Sequence, residues 1–180
     1  MKHLITLSAG LLLATSSLSA FAADGAGGFI RAEGGNTNLE VGGADGNDTT
    51  FGVRGGYFFN GNIGLEGFYT DLGSDEDAGA TIDAKTYGIG LVAKKNFGAG
   101  AHEGFFIGGR AGIARTNVDF GLVGVGSADD TDTVPYVGVG AGYDFAPNMG
   151  VSLNVDYQKP EIFGDDFKFT TTTAAFEYRF

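Results

Sequence analysis

Phe51-Gly52-Val53-Arg54-Gly55-Gly56-Tyr57-Phe58-Phe59-Asn60-Gly61-Asn62-Ile63-Gly64-Leu65-Glu66-Gly67-Phe68-Tyr69 is the stretch that decides the fold class. Odd positions on either side of Asn60-Gly61 carry Phe51, Val53, Tyr57, Phe59, Ile63, Leu65 and Tyr69, while even positions carry Gly52, Arg54, Gly56, Gly64 and Glu66. A period of two sends alternate side chains to opposite faces of a strand, and Asn-Gly is a strong signal for a tight hairpin turn. The stretch therefore reads as two antiparallel strands with one apolar wall and one polar or very small wall.

The same alternation recurs along the chain. Eight segments carry it, at about 28–37, 50–59, 62–71, 85–97, 104–116, 133–145, 149–158 and 168–180. Their length suits the roughly 9–11 residues of a tilted membrane strand, and barrels of this kind have even strand numbers. Connections alternate too. Asn60-Gly61 and Ala146-Pro147-Asn148 are short, whereas 38–49, 72–84, 117–132 and 159–167 are longer and rich in Gly, Asp, Asn, Ser or Thr. Short periplasmic turns opposite long outer loops are the pattern of outer-membrane barrels.

One wall continues through Ile89, Leu91, Phe105, Ile107, Val137, Val139, Tyr143, Phe145, Val151, Leu153, Phe176, Tyr178 and Phe180. Its aromatics gather at the turn side, as an interfacial girdle does. The other wall holds Arg31, Glu33, Arg54, Glu66, Lys94, Arg110, Asp156, Glu177 and Arg179, with glycines and Ser152 and Asn154 between them. A soluble sandwich or lipocalin would turn the apolar wall inward, and alternation alone fits both. The chain ends decide. Met1-Lys2-His3, the apolar run Leu4–Leu13 and Ala20-Phe21-Ala22 fit a cleaved secretory signal, giving segments 1–22 (signal peptide) and 23–180 (a single barrel domain). The expectation is an all-β, eight-stranded, antiparallel up-and-down transmembrane β-barrel in the Gram-negative outer membrane.

Composition narrows the partners. The formal charge of −11 argues against nucleic acid, and with no cysteine neither disulfides nor thiolate metal sites are expected. The 33 glycines alternate with large apolar residues, which is strand rather than linker. Outer-membrane lipid and lipopolysaccharide are the expected surroundings, with Arg115 placed to meet a phosphate. Acidic residues such as Asp45, Asp71, Asp75, Asp119, Asp132, Asp165 and Asp166 gather in the long loops, where they read as solvated, with weak divalent-cation binding as the alternative. No cofactor is expected. No catalytic site is expected either: His102 falls in a turn before the fifth strand, away from Ser74, Ser127 and Ser152, and reads as a solvated turn residue.

Gly52-Val53-Arg54-Gly55-Gly56-Tyr57 and Gly64-Leu65-Glu66-Gly67-Phe68-Tyr69 resemble the second and third strands of the eight-stranded transmembrane domain of outer-membrane protein A and its relatives. Gly138 to Pro147, Asp156-Tyr157-Gln158 and Phe176-Glu177-Tyr178-Arg179-Phe180 are similar to its sixth, seventh and eighth strands. The resemblance places Glu66 and Lys94 on two positions of that family's lumenal charge cluster, with Asn154 and Gly142 where an arginine and a second glutamate would stand. It also implies that Phe176, Tyr178 and Phe180 form the C-terminal signal read by the outer-membrane assembly machinery. Relatives often continue into a peptidoglycan-binding domain; with the last strand ending at Phe180, that role is not expected here.

In the lumen, five cations (Arg31, Arg54, Lys94, Arg110, Arg179) face Glu33, Glu66, Asp156 and Glu177, with Asp144 a candidate fifth acid. An eight-stranded interior is just wide enough for side chains, and unpaired buried charge is costly, so paired ions filling the lumen are expected. The leading expectation is a structural barrel supporting envelope integrity, its lumen plugged by these pairs and its outer loops acidic. A surface adhesion or host-interaction barrel and a narrow, low-conductance porin-like channel are the alternatives.

Overall fold

The computed structural model describes residues 25–41, 44–77, 80–122, 126–162 and 164–180. The expected signal segment 1–22 and Phe163 lie outside the described residues. The strands are β1 (Gly27–Val41), β2 (Ala44–Phe58), β3 (Ile63–Asp77), β4 (Ala80–Asn96), β5 (Gly104–Leu122), β6 (Gly126–Ala146), β7 (Met149–Gln158), the short pair β8 (Glu161–Ile162) and β9 (Asp165–Asp166), and β10 (Lys168–Arg179). Eight of them close in the order β1-β10-β7-β6-β5-β4-β3-β2, while β8 and β9 form a two-stranded hairpin between β7 and β10. Every barrel pairing is antiparallel.

Closure joins the two ends of the described chain. Ile30 is opposite Tyr178 and Glu40 opposite Lys168, and Gly28 and Phe180 exchange two backbone hydrogen bonds of 2.9 Å. A closed ladder leaves no strand edge in lipid, where an unsatisfied backbone group costs several kcal/mol (order of magnitude). Two register shifts interrupt the ladder, between Asp71 and Gly73 in β3 and between Asp144 and Ala146 in β6.

The expected long loops at 38–49, 72–84 and 117–132 are a correction. Most of each is strand, because β1 pairs with β2 to Val41/Ala44, β3 with β4 to Asp77/Ala80 and β5 with β6 to Leu122/Gly126. β5 and β6 reach 19 and 21 residues, about twice what a membrane crossing needs. Backbone ladder bonds continue whatever the side-chain polarity, so a Gly-, Asp- and Thr-rich composition was compatible with ribbon as well as loop.

Large apolar side chains cover the outside of the lower barrel, with Phe51 and Leu153 each 67% exposed and Val139 66%. Charged and hydroxyl side chains line the inside, including Arg54, Glu66, Lys94 and Glu177. This is the reverse of a soluble barrel, and it follows from a lipid solvent outside.

Candidate functional site

The lumen is built in layers, each set by inward positions on several strands. At the rim carrying the short turns and the closing β1–β10 ends, Phe29, Phe58 and Val92 form a buried apolar group. Phe29 and Phe58 have ring centroids 5.0 Å apart, and His102 stands 5.0 Å from Phe58 on the other side. His102 was expected to be solvated, and this is a second correction: it is buried, takes a left-handed backbone (φ 57°), and Nε2 donates to the Gly25 carbonyl at 2.9 Å. Because a carbonyl can only accept, the proton sits on Nε2 in this arrangement. Burial lowers the pKa of His102 below the ordinary histidine value, with Arg179 and Lys94 adding to that direction against the raising effect of the Gly25 carbonyl.

Above this group lies the charged layer, in two clusters. The lower one centres on Glu177. Arg31 donates to it through Nη2 at 2.5 Å and Nε at 3.0 Å, Lys94 through Nζ at 3.3 Å, and Arg179 also bonds it. Lys94 and Arg179 share a second acid, Asp144, at 2.8 and 3.0 Å. Arg54 organises the upper cluster, reaching Glu33 at 2.9 Å, Glu66 at 3.1 Å and Asp156 at 3.1 Å. Arg110 bridges Glu33 at 3.0 Å and Asp156. The Tyr136 hydroxyl donates to Glu66 at 2.9 Å. The clusters meet where Arg31 approaches Glu33 at 3.8 Å.

All nine residues singled out in the lumen thus come together; eight are buried and Asp156 is partly so. Asp144 joins them as the fifth acid, which balances five cations with five carboxylates. The expected family positions take different partners here: Glu66 pairs with Arg54, whereas Lys94 pairs with Asp144 and Glu177. Asn154 bonds Ser152 at 3.1 Å.

Aromatic rings support the cations, and these the sequence reading missed. The Arg54 guanidinium lies 4.3 Å from the Phe68 ring centroid and Lys94 Nζ 3.9 Å from that of Phe106, contacts that strengthen when water is absent. Room for the rings comes from inward glycines on neighbouring strands. A Cβ on Gly56 would stand 2.7 Å from the Phe29 ring, and one on Gly88 2.8 Å from the Phe68 ring. The available signal was parity: Phe29, Phe58, Phe68, Phe106 and Tyr136 all share the face of the charges.

Hydroxyls follow. Thr37 and Thr171 bond at 2.9 Å, Thr116 donates to Thr86 at 3.2 Å, and Thr86 donates to Gln158 at 3.4 Å. The outermost layer is apolar: Leu72, Ala84, Val118, Ile162 and Phe169, with Leu39 and Phe167 packed against them. Two cavities within the lumen measure about 20 Å³ each, one beside Arg31, Lys94 and Phe106, the other beside Arg54, Tyr136 and Gln158. Each has room for about one water molecule.

At the projecting rim, Asp71 accepts the Gly73 amide at 3.1 Å and Asp132 the Glu161 amide at 2.8 Å. No three ligating groups converge among the described residues. On the outer wall, Phe176 and Tyr178 point outward with 46% and 43% exposure, and Phe180 stacks on Tyr178 at 6.4 Å.

A closed eight-stranded antiparallel barrel with apolar side chains outside and polar and charged ones inside has the architecture of outer-membrane β-barrel proteins. The chain belongs to the family described as outer membrane protein beta-barrel domain, whose model matches residues 8–180, and this places it in the Gram-negative outer membrane. Among solved structures it is similar to Ail, the attachment invasion locus protein of Yersinia pestis (22% identity, TM-score 0.62, covering 86% of this chain and 99% of that one). Neisserial surface protein A is similar at 17% identity and TM-score 0.69 (87% and 100% covered). The N-terminal barrel of Pseudomonas aeruginosa OprF is similar at 15% identity and TM-score 0.56 (83% and 97% covered). At these identities the likeness is one of fold. No curated protein matches the chain.

Proposed function

We propose that this protein is a structural outer-membrane barrel that supports envelope integrity, with a lumen plugged by its own side chains. The observation that carries this reading is the layered lumen, in which a charge-balanced network lies between two apolar groups and the two cavities among its inner residues are of single-water size, the larger hollow of about 290 Å³ beside Arg179 and His102 lying at the turn-side rim. A narrow ion path would require several pairs to open together, and each opened pair leaves buried charge uncompensated. The reading is non-enzymatic: His102 is spent on Gly25 and Phe58. The test is a deletion strain. Uptake of a hydrophobic dye should rise on deletion and fall again when the full chain is restored; unchanged uptake contradicts the integrity role.

Export and assembly complete the proposal. Residues 1–22 act as a cleaved signal, so N-terminal sequencing of the protein from outer membranes should begin at Ala23. Phe176, Tyr178 and Phe180 form an outward aromatic row on the strand that closes the barrel, available to the assembly machinery before closure. Lipopolysaccharide surrounds the outer half, and rim carboxylates hold divalent cations only weakly.

One observation favours a second reading, surface adhesion. The ribbons of β3 to β6 extend well past a membrane crossing, giving a stiff platform that a minimal barrel does not need. Shortening these ribbons should leave dye exclusion intact under the first reading; loss of cell binding with intact exclusion would favour the second.

A further inference from the structure

At the turn-side rim the chain entering β1 crosses the mouth of the barrel and borders a hollow of about 290 Å³ that the plugged lumen does not use. Gly25 is pressed onto two turns: a Cβ there would stand 2.8 Å from Ala101 Cβ and 2.8 Å from Gly61 Cα. The walls of the hollow are mostly apolar, formed by Ala26, Phe58, Ala101, Pro147 and Phe180. Two buried polar side chains also line it, His102 and Arg179. His102 gives its Nε2 proton to Gly25, and its buried Nδ1 has no partner among the described residues. Arg179 donates Nε to the Pro147 carbonyl, Nη2 to the Ala146 carbonyl and Nη1 to Glu177, and pairs with Asp144 through Nη2. Of the five N–H groups of a guanidinium, one on Nη1 is left without an acceptor among the described residues.

Charge beside the hollow is uneven. The near cluster sets three cations, Arg31, Lys94 and Arg179, against two acids, Asp144 and Glu177. The compensating acid lies in the farther cluster, where Glu33, Glu66 and Asp156 meet Arg54 and Arg110. Glu103, the residue after His102, holds its carboxylate beside Gly100 and does not line the hollow.

We propose that this hollow binds a small monocarboxylate from the periplasm, its carboxylate held between Arg179 and His102 and its apolar group against the rings of Phe58 and Phe180. The ligand is an addition to the barrel read above, and the side that the hollow faces rests on that reading. Mostly apolar walls with a few convergent polar groups are the usual form of a small-molecule site. A carboxylate supplies the negative charge that the near cluster lacks, and its hydrogen bonds to a guanidinium are among the strong ones. A bare Nδ1 can only accept, so it takes a proton from solvent as the carboxylate arrives and then donates to it, while Nε2 stays on Gly25. Without the anion that proton is opposed by burial, Arg179 and Lys94; it is favoured by the Gly25 carbonyl and by Asp144, whose carboxylate already pairs with both cations. The anion reverses this balance, so binding is coupled to proton uptake. A neutral molecule of the same shape brings no such gain, and an inorganic anion leaves the apolar walls uncovered.

The full chain, refolded in detergent and verified by heat-dependent gel mobility, is titrated with benzoate and followed by NMR of the His102 ring, with benzamide and sulfate as controls. Benzoate should shift the ring signals saturably, and should bind about tenfold more tightly at about pH 5.5 than at about pH 7.5, through linkage to one proton across the histidine range. Benzamide and sulfate should each bind at least about tenfold more weakly than benzoate, a factor equal to about 1.4 kcal/mol. Ala101→Trp, which fills the hollow, should abolish benzoate binding. His102→Gln, whose amide can still reach the Gly25 carbonyl, should weaken binding and flatten its pH dependence, followed through the amide signals of β1. The wild-type titrations decide even if neither variant refolds. Benzamide or sulfate binding as tightly as benzoate, a pH-independent benzoate affinity, or undiminished binding by folded Ala101→Trp overturns the site. A wild-type chain without a heat-dependent shift would instead overturn the barrel placement itself.

Discussion

The lipid belt and the projecting rim use the same strands with opposite preferences. In the belt apolar residues point out and charges point in: Val53 is exposed beside buried Arg54, and Leu65 beside buried Glu66. Beyond the belt the faces exchange chemistry. Leu72 is buried next to half-buried Asp71, Val118 is buried next to exposed Asp119, and Phe169 is buried next to half-buried Lys168. The backbone does not change face; the solvent does. Where hydrocarbon ends and water begins, the rule for a soluble strand returns, and the inward residues collapse into an apolar cap. The lumen is thus ionic where it is surrounded by lipid and apolar where it is surrounded by water.

The two regions should respond differently to loss of one side chain. Glu177→Gln has the largest expected effect, because it takes a charge from the acid shared by Arg31, Lys94 and Arg179. Breaking a buried ion network costs about 3–5 kcal/mol, to be read from urea unfolding of the refolded barrel in lipid vesicles. Adding Lys94→Met should recover part of the loss, since fewer cations are then left unpaired. In the rim, Leu72→Ala should cost about 2–3 kcal/mol by the cavity it leaves, with no second-site recovery of that kind. A cost for Leu72→Ala equal to that for Glu177→Gln would erase the contrast. Gly88→Ala sharpens the belt side further. Its Cβ would press on the Ile113 carbonyl oxygen of β5 as well as on the Phe68 ring, and overpacking there should cost about 1–3 kcal/mol.

The smallest effect is a pH dependence at the turn-side rim. His102 is buried with its pKa lowered. Above about pH 6.5 both folded and unfolded chains carry the neutral ring. As pH falls below that value the unfolded chain takes up a proton that the folded chain resists, so stability falls until the folded pKa is passed. Equilibrium unfolding of wild type and His102→Gln between pH 8 and pH 5, about the range where histidine titrates, should show a shallower slope in the variant. Parallel slopes would count against the buried neutral ring.

The belt was legible in the sequence because its alternation is strict and carries charge: Arg54 and Glu66 sit between apolar neighbours, and Asn60-Gly61 fixes the hairpin. Strand existence, strand number, barrel closure and the inward set all follow from that pattern. The rim was not legible because its face preference inverts where water replaces lipid. Leu39, Leu72 and Val118 are single apolar inward residues among Asp, Asn, Gly and Thr, and once the face preference inverts the segment reads as loop. His102 was misread because nothing local signals that its ring folds back onto Phe58 and the Gly25 carbonyl, residues far from it in the chain. Asp144 was placed by parity, but its partners Lys94 and Arg179 come from β4 and β10. Cross-strand pairing of that kind is set by closure.

The lumen of balanced ions between two apolar groups is the centre of this account, and single-channel recording of the purified, refolded full chain in planar bilayers tests it most directly. The wild-type barrel should show no stable conductance above the bilayer background, with transient openings only in a variant such as Glu177→Gln. Long-lived, reproducible open levels from the wild-type barrel would contradict it.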